Sequence, residues 1–167
     1  MTPLTRRHLA YLLTIGFVCG FLAVACGYAP HKDPPLYTYA TPRVAEESAR
    51  LHARDIGGTY HQNLCCGSMV PLIQAGDWIV VAPVSLYPFT DDLLGRPCVY
   101  QPKWLPAGQL VLHRFTSGNT RDGFIASGDG VKPDIDASGR DLHSEASYRV
   151  KGVDYRGRVE GIYRVKP

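Results

Sequence analysis

The chain has no two cysteines in a CxxC spacing and no cysteine and histidine residues at the spacing of a zinc site. Zinc sites in proteins need several such ligands at short and regular intervals. We therefore expect no metal site. The chain also has no internal repeat and no low-complexity tract.

The chain also lacks a large excess of either basic or acidic residues. The chain has 18 Lys and Arg residues against 15 Asp and Glu residues, which gives a formal net charge of +3. The basic residues are scattered along the chain rather than gathered in one stripe. Because a nucleic-acid-binding surface needs such a stripe, we expect no nucleic-acid partner.

Glycine and proline are abundant, with 17 and 13 residues in a chain of 167, and β-branched residues and tyrosine recur in short runs. This composition is typical of an all-β domain with many turns, and the length suits one domain with extensions. Strands so short favour a small coiled sheet or a partly open β-barrel. The predicted strands cover residues 77–82, 96–101, 110–115, 123–127, 148–153 and 158–165.

The N-terminal part of the chain has one long apolar run. Residues 9–29 carry no charged side chain, and about 20 apolar residues are enough to span a bilayer. Arg6 and Arg7 precede the run and the first acidic residue is Asp33, so we expect the N-terminus inside and the rest of the chain outside. An uncleaved signal anchor over residues 1–30 is favoured. A cleaved export signal and a lipoprotein signal remain alternatives, and a buried soluble helix is disfavoured because the run has no polar face.

A linker with one short helix is expected over residues 31–60, before a β domain over residues 61–167. Closely spaced prolines exclude a helix at the start of the linker. Thr41 and Pro42 then fit the N-cap and first position of a helix over residues 42–55, which a Gly-Gly pair ends. Its apolar face is thin, so we expect a helix that packs loosely or lies next to the membrane surface as a juxtamembrane helix. Its His52, like His61 beyond it, is expected to be solvated or at the rim of a site.

Ser68 is the candidate nucleophile. It lies between Gly67 and Pro71, ahead of a Gly-Asp turn that opens an apolar strand. Glycine and proline at these positions would hold the serine in a bend with its hydroxyl free. An isolated serine of this kind is more often part of an ordinary turn. A serine hydroxyl is a weak nucleophile, so a base within hydrogen-bond reach must decide between the two.

His113 is the candidate base. Side chains alternate along a strand, so His113 shares a face with Val111 and Phe115, and Arg114 points the other way. A histidine of ordinary pKa is neutral at pH 7 and can accept a proton. Lys103 is a weaker candidate, because as a base it would need a strongly lowered pKa.

A third group should orient the imidazole. Asp129, Asp134 and Asp136 lie in a glycine- and proline-containing loop after the fourth predicted strand. Such clusters commonly serve turn formation, but one carboxylate could accept from the His113 ring or pair with Arg114. A calcium loop is disfavoured, because residues 128–139 lack the alternating ligands and the closing Glu.

Five cysteines leave the redox state open. Two of them lie in the apolar N-terminal run. Either Cys65 or Cys66 could pair with Cys98 if the domain lies outside the cytoplasm, which would leave one thiol free. A disulfide depends on the spacing of the two Cα atoms, so the sequence leaves both pairings possible.

The order of these pieces resembles the type I signal peptidase family. A membrane segment comes first, then Ser-Met-x-Pro, a Gly-Asp turn into a strand, a strand with His-Arg, and a strand leading to Gly-Asp. The segments that resemble the family's nucleophile box, middle strand, base-bearing strand and Gly-Asp-Asn box are residues 67–81, 94–101, 109–115 and 124–136.

The resemblance implies a membrane-anchored serine endopeptidase that cleaves signal peptides from exported precursor proteins without any cofactor. Ser68 would attack, and its own N–H would form part of the oxyanion hole. His113 stands where many members have Lys, as in the endoplasmic-reticulum and archaeal-type branch. Asp136, or less favourably Asp134, would orient the histidine, and Asp129 would hold the loop or act as the acid itself. The implied partners are signal peptides, with shallow pockets for small side chains, and membrane lipid.

Three departures from the family pattern affect this interpretation. The loop reads Gly-Asp-Gly and lacks the family's Asn, and Cys66 stands where many members have Ser or Gly. The linker before Ser68 is also long, so a dedicated substrate, such as a pilin-like or conjugation protein, is as plausible as general secretion. The alternative functions are a non-catalytic membrane-anchored β-module and a self-cleaving repressor-type serine protease.

Overall fold

Strands make up most of the regular structure in the computed structural model, which describes residues 30–63, 67–130 and 148–167. The predicted membrane segment, residues 9–29, lies outside this part of the chain. Within it, no helix is both long and apolar enough to cross a membrane. The elements are β1 Leu36–Tyr39, α1 Pro42–Asp55, β2 Thr59–Gln62, β3 Trp78–Pro83, β4 Pro97–Tyr100, β5 Val111–Asn119, β6 Gly123–Ser127 and β7 Tyr155–Val165.

The long strand β7 is the centre of one open sheet. Along the sheet the strands follow the order β2-β3-β7-β4-β5-β6, and every pairing on this path is antiparallel. On one side of β7, β4 pairs with its first half and β1 runs parallel to its second half. The expectation of a mostly β domain is confirmed, and the path of the sheet ends at β2 and β6.

The predicted strands match β3, β4, β5, β6 and most of β7, with one exception. Residues 148–153 do not form a strand, and only Val150 makes an isolated bridge, to Phe124. A turn closes directly after it, because a carboxylate oxygen of Asp154 accepts from the N–H of Lys151 at 3.0 Å. This local turn takes the place of the strand pairing that was expected for residues 148–153.

Two strands were not expected from the sequence. β1 lies inside the predicted linker and β2 just after the helix, and both are largely exposed. Their short polar and tyrosine-containing segments carry no clear alternation, so only pairing with β7 and β3 makes them strands. The predicted linker is therefore partly built into the sheet.

The predicted bounds of α1 are confirmed, as is its N-cap: the Thr41 hydroxyl accepts from the N–H of Val44 at 3.4 Å. The expectation of loose packing was wrong. Three alanines, whose small side chains allow close approach, are buried against the sheet: Ala45, Ala49 and Ala53. His52 is half-buried and contacts the Tyr163 hydroxyl, and His61 is exposed.

Candidate active site

Ser68 lies in a 3-10 helix, Gly67–Met69. Met69 and Ile73 are buried in an apolar cluster with residues of β3, β4 and β7, and the N–H of Ile73 donates to the Met69 carbonyl at 2.9 Å. A Cβ added at Gly67 would come no closer than 3.7 Å to Val70. The segment is therefore anchored by its buried apolar side chains and does not depend on the freedom of Gly67.

Ser68 and His113 line the same cavity, which has a volume of about 220 Å³. The strand β5 supplies His113 and the two residues before it, and the loop ahead of β5 supplies Leu110. Met69 and Asn63 complete the lining. The cavity is thus mostly apolar, with a hydroxyl, an imidazole and an amide as its polar groups.

Asn63 is a lining residue that sequence reasoning missed. Its N–H donates to the Asp77 carbonyl and its carbonyl accepts from Gly76, both at 2.8 Å, and its amide donates to the Gln74 carbonyl. The Gly-Asp turn therefore fixes Asn63, while Asp77 is itself held by Arg164. No sequence signal could have found Asn63, because only the pairing of β2 with β3 brings it beside Ser68.

His113 is almost fully buried, at 5% exposure, and lies opposite Cys98 in the register of β5 with β4. The Tyr100 hydroxyl lies 3.5 Å from its Nδ1. Cys98 is a free buried thiol, and burial raises its pKa above the ordinary value. The possible disulfide to Cys65 or Cys66 is therefore not formed at Cys98; both other cysteines lie outside the described residues.

Arg114 points to the opposite face of β5, as predicted, and its side chain is 1% exposed. It donates to both carboxylate oxygens of Asp129, to one of Asp33 at 2.7 Å, and to the Gly95 carbonyl. Burial alone would lower the pKa of Arg114, but the bonds to Asp129 and Asp33 outweigh it and raise that pKa. Asp129 is thus placed against Arg114, in a position to hold its loop.

The loop around Asp129 packs directly on the nucleophile segment. The N–H of Gly130 donates to the Ser68 carbonyl at 2.8 Å. A Cβ added at Gly128 would lie 2.3 Å from that same carbonyl oxygen, so only glycine fits there. The other two candidate acids, Asp134 and Asp136, lie outside the described residues.

The weaker base candidate lies apart from this site. Lys103 is exposed in the turn region after β4 and is not among the residues that line the cavity. Among the described residues, no group of three or more His, Cys, Asp or Glu side chains could hold a metal ion. The arrangement that the structure brings together is a serine, a histidine and a glycine-flanked loop.

Comparisons with known proteins add no family to this geometry. No protein-family model, no curated protein and no solved structure matches the chain. Support for a function therefore comes from the residues of the site itself.

Proposed function

We propose that the chain is a membrane-anchored serine endopeptidase of the signal peptidase type, which removes signal peptides from exported precursor proteins. The observation that supports it is that Ser68 and His113, from distant parts of the chain, line one cavity. Nucleophile and base must share such a site for acyl transfer.

The chemistry needs no group beyond this chain and water. Ser68 Oγ attacks the scissile carbonyl while His113 takes its proton, and the tetrahedral intermediate places its oxyanion near the N–H of Ser68. The imidazolium then gives the proton to the leaving amine, which leaves an acyl-enzyme. His113 next activates a water that hydrolyses the ester and regenerates Ser68. In this proposal Asp129 holds the loop through Arg114, and Asp136 is the sequence-predicted acid whose charge would stabilise the protonated form of His113.

The cavity lining and the sequence support the proposed substrate class. Met69, Leu110 and Leu112 surround the reacting groups in a small cavity, which suits the small apolar side chains before a signal-peptide cleavage site. Residues 9–29 would form the single transmembrane anchor, with the N-terminus cytoplasmic and the signal-peptidase-like β domain on the outer side. The proposed partners are precursor proteins and the lipid around the anchor.

The test is cleavage of a precursor with small residues before the cut, using the full chain in detergent micelles. Ser68→Ala and His113→Gln are expected to lower kcat by at least about 10³-fold, because both act in the same step. Ser85→Ala and His61→Gln are matched controls at exposed positions and should cleave like the wild type. Full activity of Ser68→Ala with unchanged folding would refute the proposal.

The same assay separates the alternative functions. A non-catalytic β-module predicts no cleavage by the wild type of any exported precursor. A self-cleaving repressor-type protease predicts cleavage of its own chain with a first-order rate constant that does not depend on protein concentration. The proposed endopeptidase predicts cleavage in trans with saturation by the precursor.

A further inference from the structure

The proposed base, His113, lies beside a buried hydroxyl group, that of Tyr100 on the neighbouring strand β4. Tyr100 is the last residue of β4, its side chain is fully buried, and its Oη lies 3.5 Å from Nδ1 of His113. One ring nitrogen of the histidine therefore faces the tyrosine. The other, Nε2, is the nitrogen that can face the nucleophile.

Packing fixes the position of this hydroxyl. The Tyr100 ring contacts Phe115, with centroids 6.1 Å apart, within a core cluster that also holds Phe124 and Tyr155. The antiparallel register of β4 with β5 sets Tyr100 diagonally across from His113. A buried aromatic ring so held has little rotamer freedom, so its hydroxyl is preorganised toward the imidazole.

Other titratable groups also lie around the imidazole in the part of the chain that the structure describes. Cys98 lies opposite His113 on β4, where its buried thiol stays protonated, and Ser68 lines the same cavity as His113. Arg114 and Asp129 form their ion pair on the other face of β5.

We propose that Tyr100 is a positioning residue for the base: its hydroxyl oxygen accepts the Nδ1–H of His113 and holds the ring in the tautomer whose Nε2 can take the proton of Ser68. This inference rests on the proposed function. In a serine–histidine mechanism the tautomer matters, because only the unprotonated nitrogen can act as the base. The same contact remains when His113 becomes charged in the transition state.

Tyr100→Phe keeps the ring and removes only the oxygen. We expect kcat to fall about three- to tenfold, the size of one lost hydrogen bond to a group that becomes charged, with little change in KM. Loss of an acceptor disfavours the imidazolium, so the acidic limb of the pH–rate profile should move to lower pH. Tyr155→Phe is the matched control, because its hydroxyl donates to the Tyr87 carbonyl in the same core.

A second measurement does not depend on activity. With the full chain labelled with ¹⁵N-histidine, the side-chain nitrogen shifts of His113 should indicate protonated Nδ1 in the wild type and in Tyr155→Phe. In Tyr100→Phe they should indicate a mixture of tautomers. If Tyr100→Phe leaves the tautomer, the acidic limb and kcat as in the control, the inference is wrong.

The two proposals can fail separately. If no precursor is cleaved in a manner that depends on Ser68, the protease proposal fails, and the nitrogen shifts still decide whether Tyr100 holds the ring. If cleavage depends on Ser68 but the shifts of Tyr100→Phe match those of the wild type, only the positioning role fails.

Discussion

Arg114 binds both carboxylate oxygens of Asp129, at 2.8 and 2.6 Å. Arg114 directly follows His113 in β5, and Asp129 sits between the two glycines that pack on Ser68. One buried ion pair therefore ties the strand of the base to the loop against the nucleophile. Both ends of the proposed catalytic pair depend on it for their relative position.

The two carboxylates on Arg114 should differ in what they contribute to stability. Asp129 is 8% exposed and Asp33 is 49% exposed. Asp129→Asn weakens a buried ion pair and should cost about 3 kcal/mol, the lower end for breaking such a pair. Asp33→Asn, the same change at a half-exposed position, should cost about 1 kcal/mol or less. Urea denaturation of both variants measures the difference, and equal costs would contradict this role of Asp129.

A methyl group at Gly128 should disturb the site. Its Cβ would lie 2.3 Å from the Ser68 carbonyl oxygen, so either the loop or the nucleophile segment must move. A shift of about 1 Å can cost about 10²-fold in rate, so we expect Gly128→Ala to lower kcat to this extent in the precursor assay.

Gly67→Ala is the matched control for the effect of Gly128→Ala on stability. Its added Cβ meets only Val70, at 3.7 Å, so the free energy of unfolding should stay within about 1 kcal/mol of the wild-type value. Gly128→Ala should be clearly less stable in the same urea titration. If Gly67→Ala is the more destabilised of the two variants, then the close approach of the loop to Ser68 is not the reason for a glycine at position 128.

The proposed base predicts an acidic limb in the pH dependence of cleavage. Protonated His113 cannot accept from Ser68, so kcat/KM should fall about tenfold per pH unit once the imidazole is protonated in the free enzyme. Initial rates between about pH 5 and pH 8, the range in which histidine titrates, measure it. A flat profile with intact folding across that range would exclude His113 as the base.

Cys98 should be unreactive in the folded protein. It is fully buried, and its raised pKa keeps the thiol protonated, whereas alkylation needs the exposed thiolate. Iodoacetamide at pH 8 should modify Cys98 only after the chain is unfolded in urea, with the peptide identified by mass spectrometry. Rapid modification in the native protein would show that β4 opens beside His113.

The raised pKa of Cys98 also makes stability depend on pH. The folded protein holds this proton above pH 9, the ordinary range of the thiol, while the unfolded chain loses it. The contribution of Cys98 is therefore fully present below that pH and declines as the pH rises further. The free energy of unfolding should fall less steeply between pH 8 and pH 10 in Cys98→Ala than in the wild type.

Local patterns were enough for much of the fold. Thr41, Pro42 and the Gly-Gly pair marked the ends of α1, and short apolar runs between turn residues located β3 to β6. They could not locate β1 and β2, whose residues are mostly exposed and become strands only through partners far along the chain. Local periodicity also misread residues 148–153, where the carboxylate of Asp154 closes a turn.

By itself, the sequence determined the short-range features: the N-cap of α1, the alternation that separates His113 from Arg114, and the apolar run of residues 9–29. These follow from backbone geometry and from the spacing of side chains over a few residues. Only the tertiary structure decided that Ser68 and His113 share a cavity, that Asp129 binds Arg114, and that Tyr100 meets the imidazole. Such contacts depend on which strands pair and in which register, and burial across the whole sheet sets that choice.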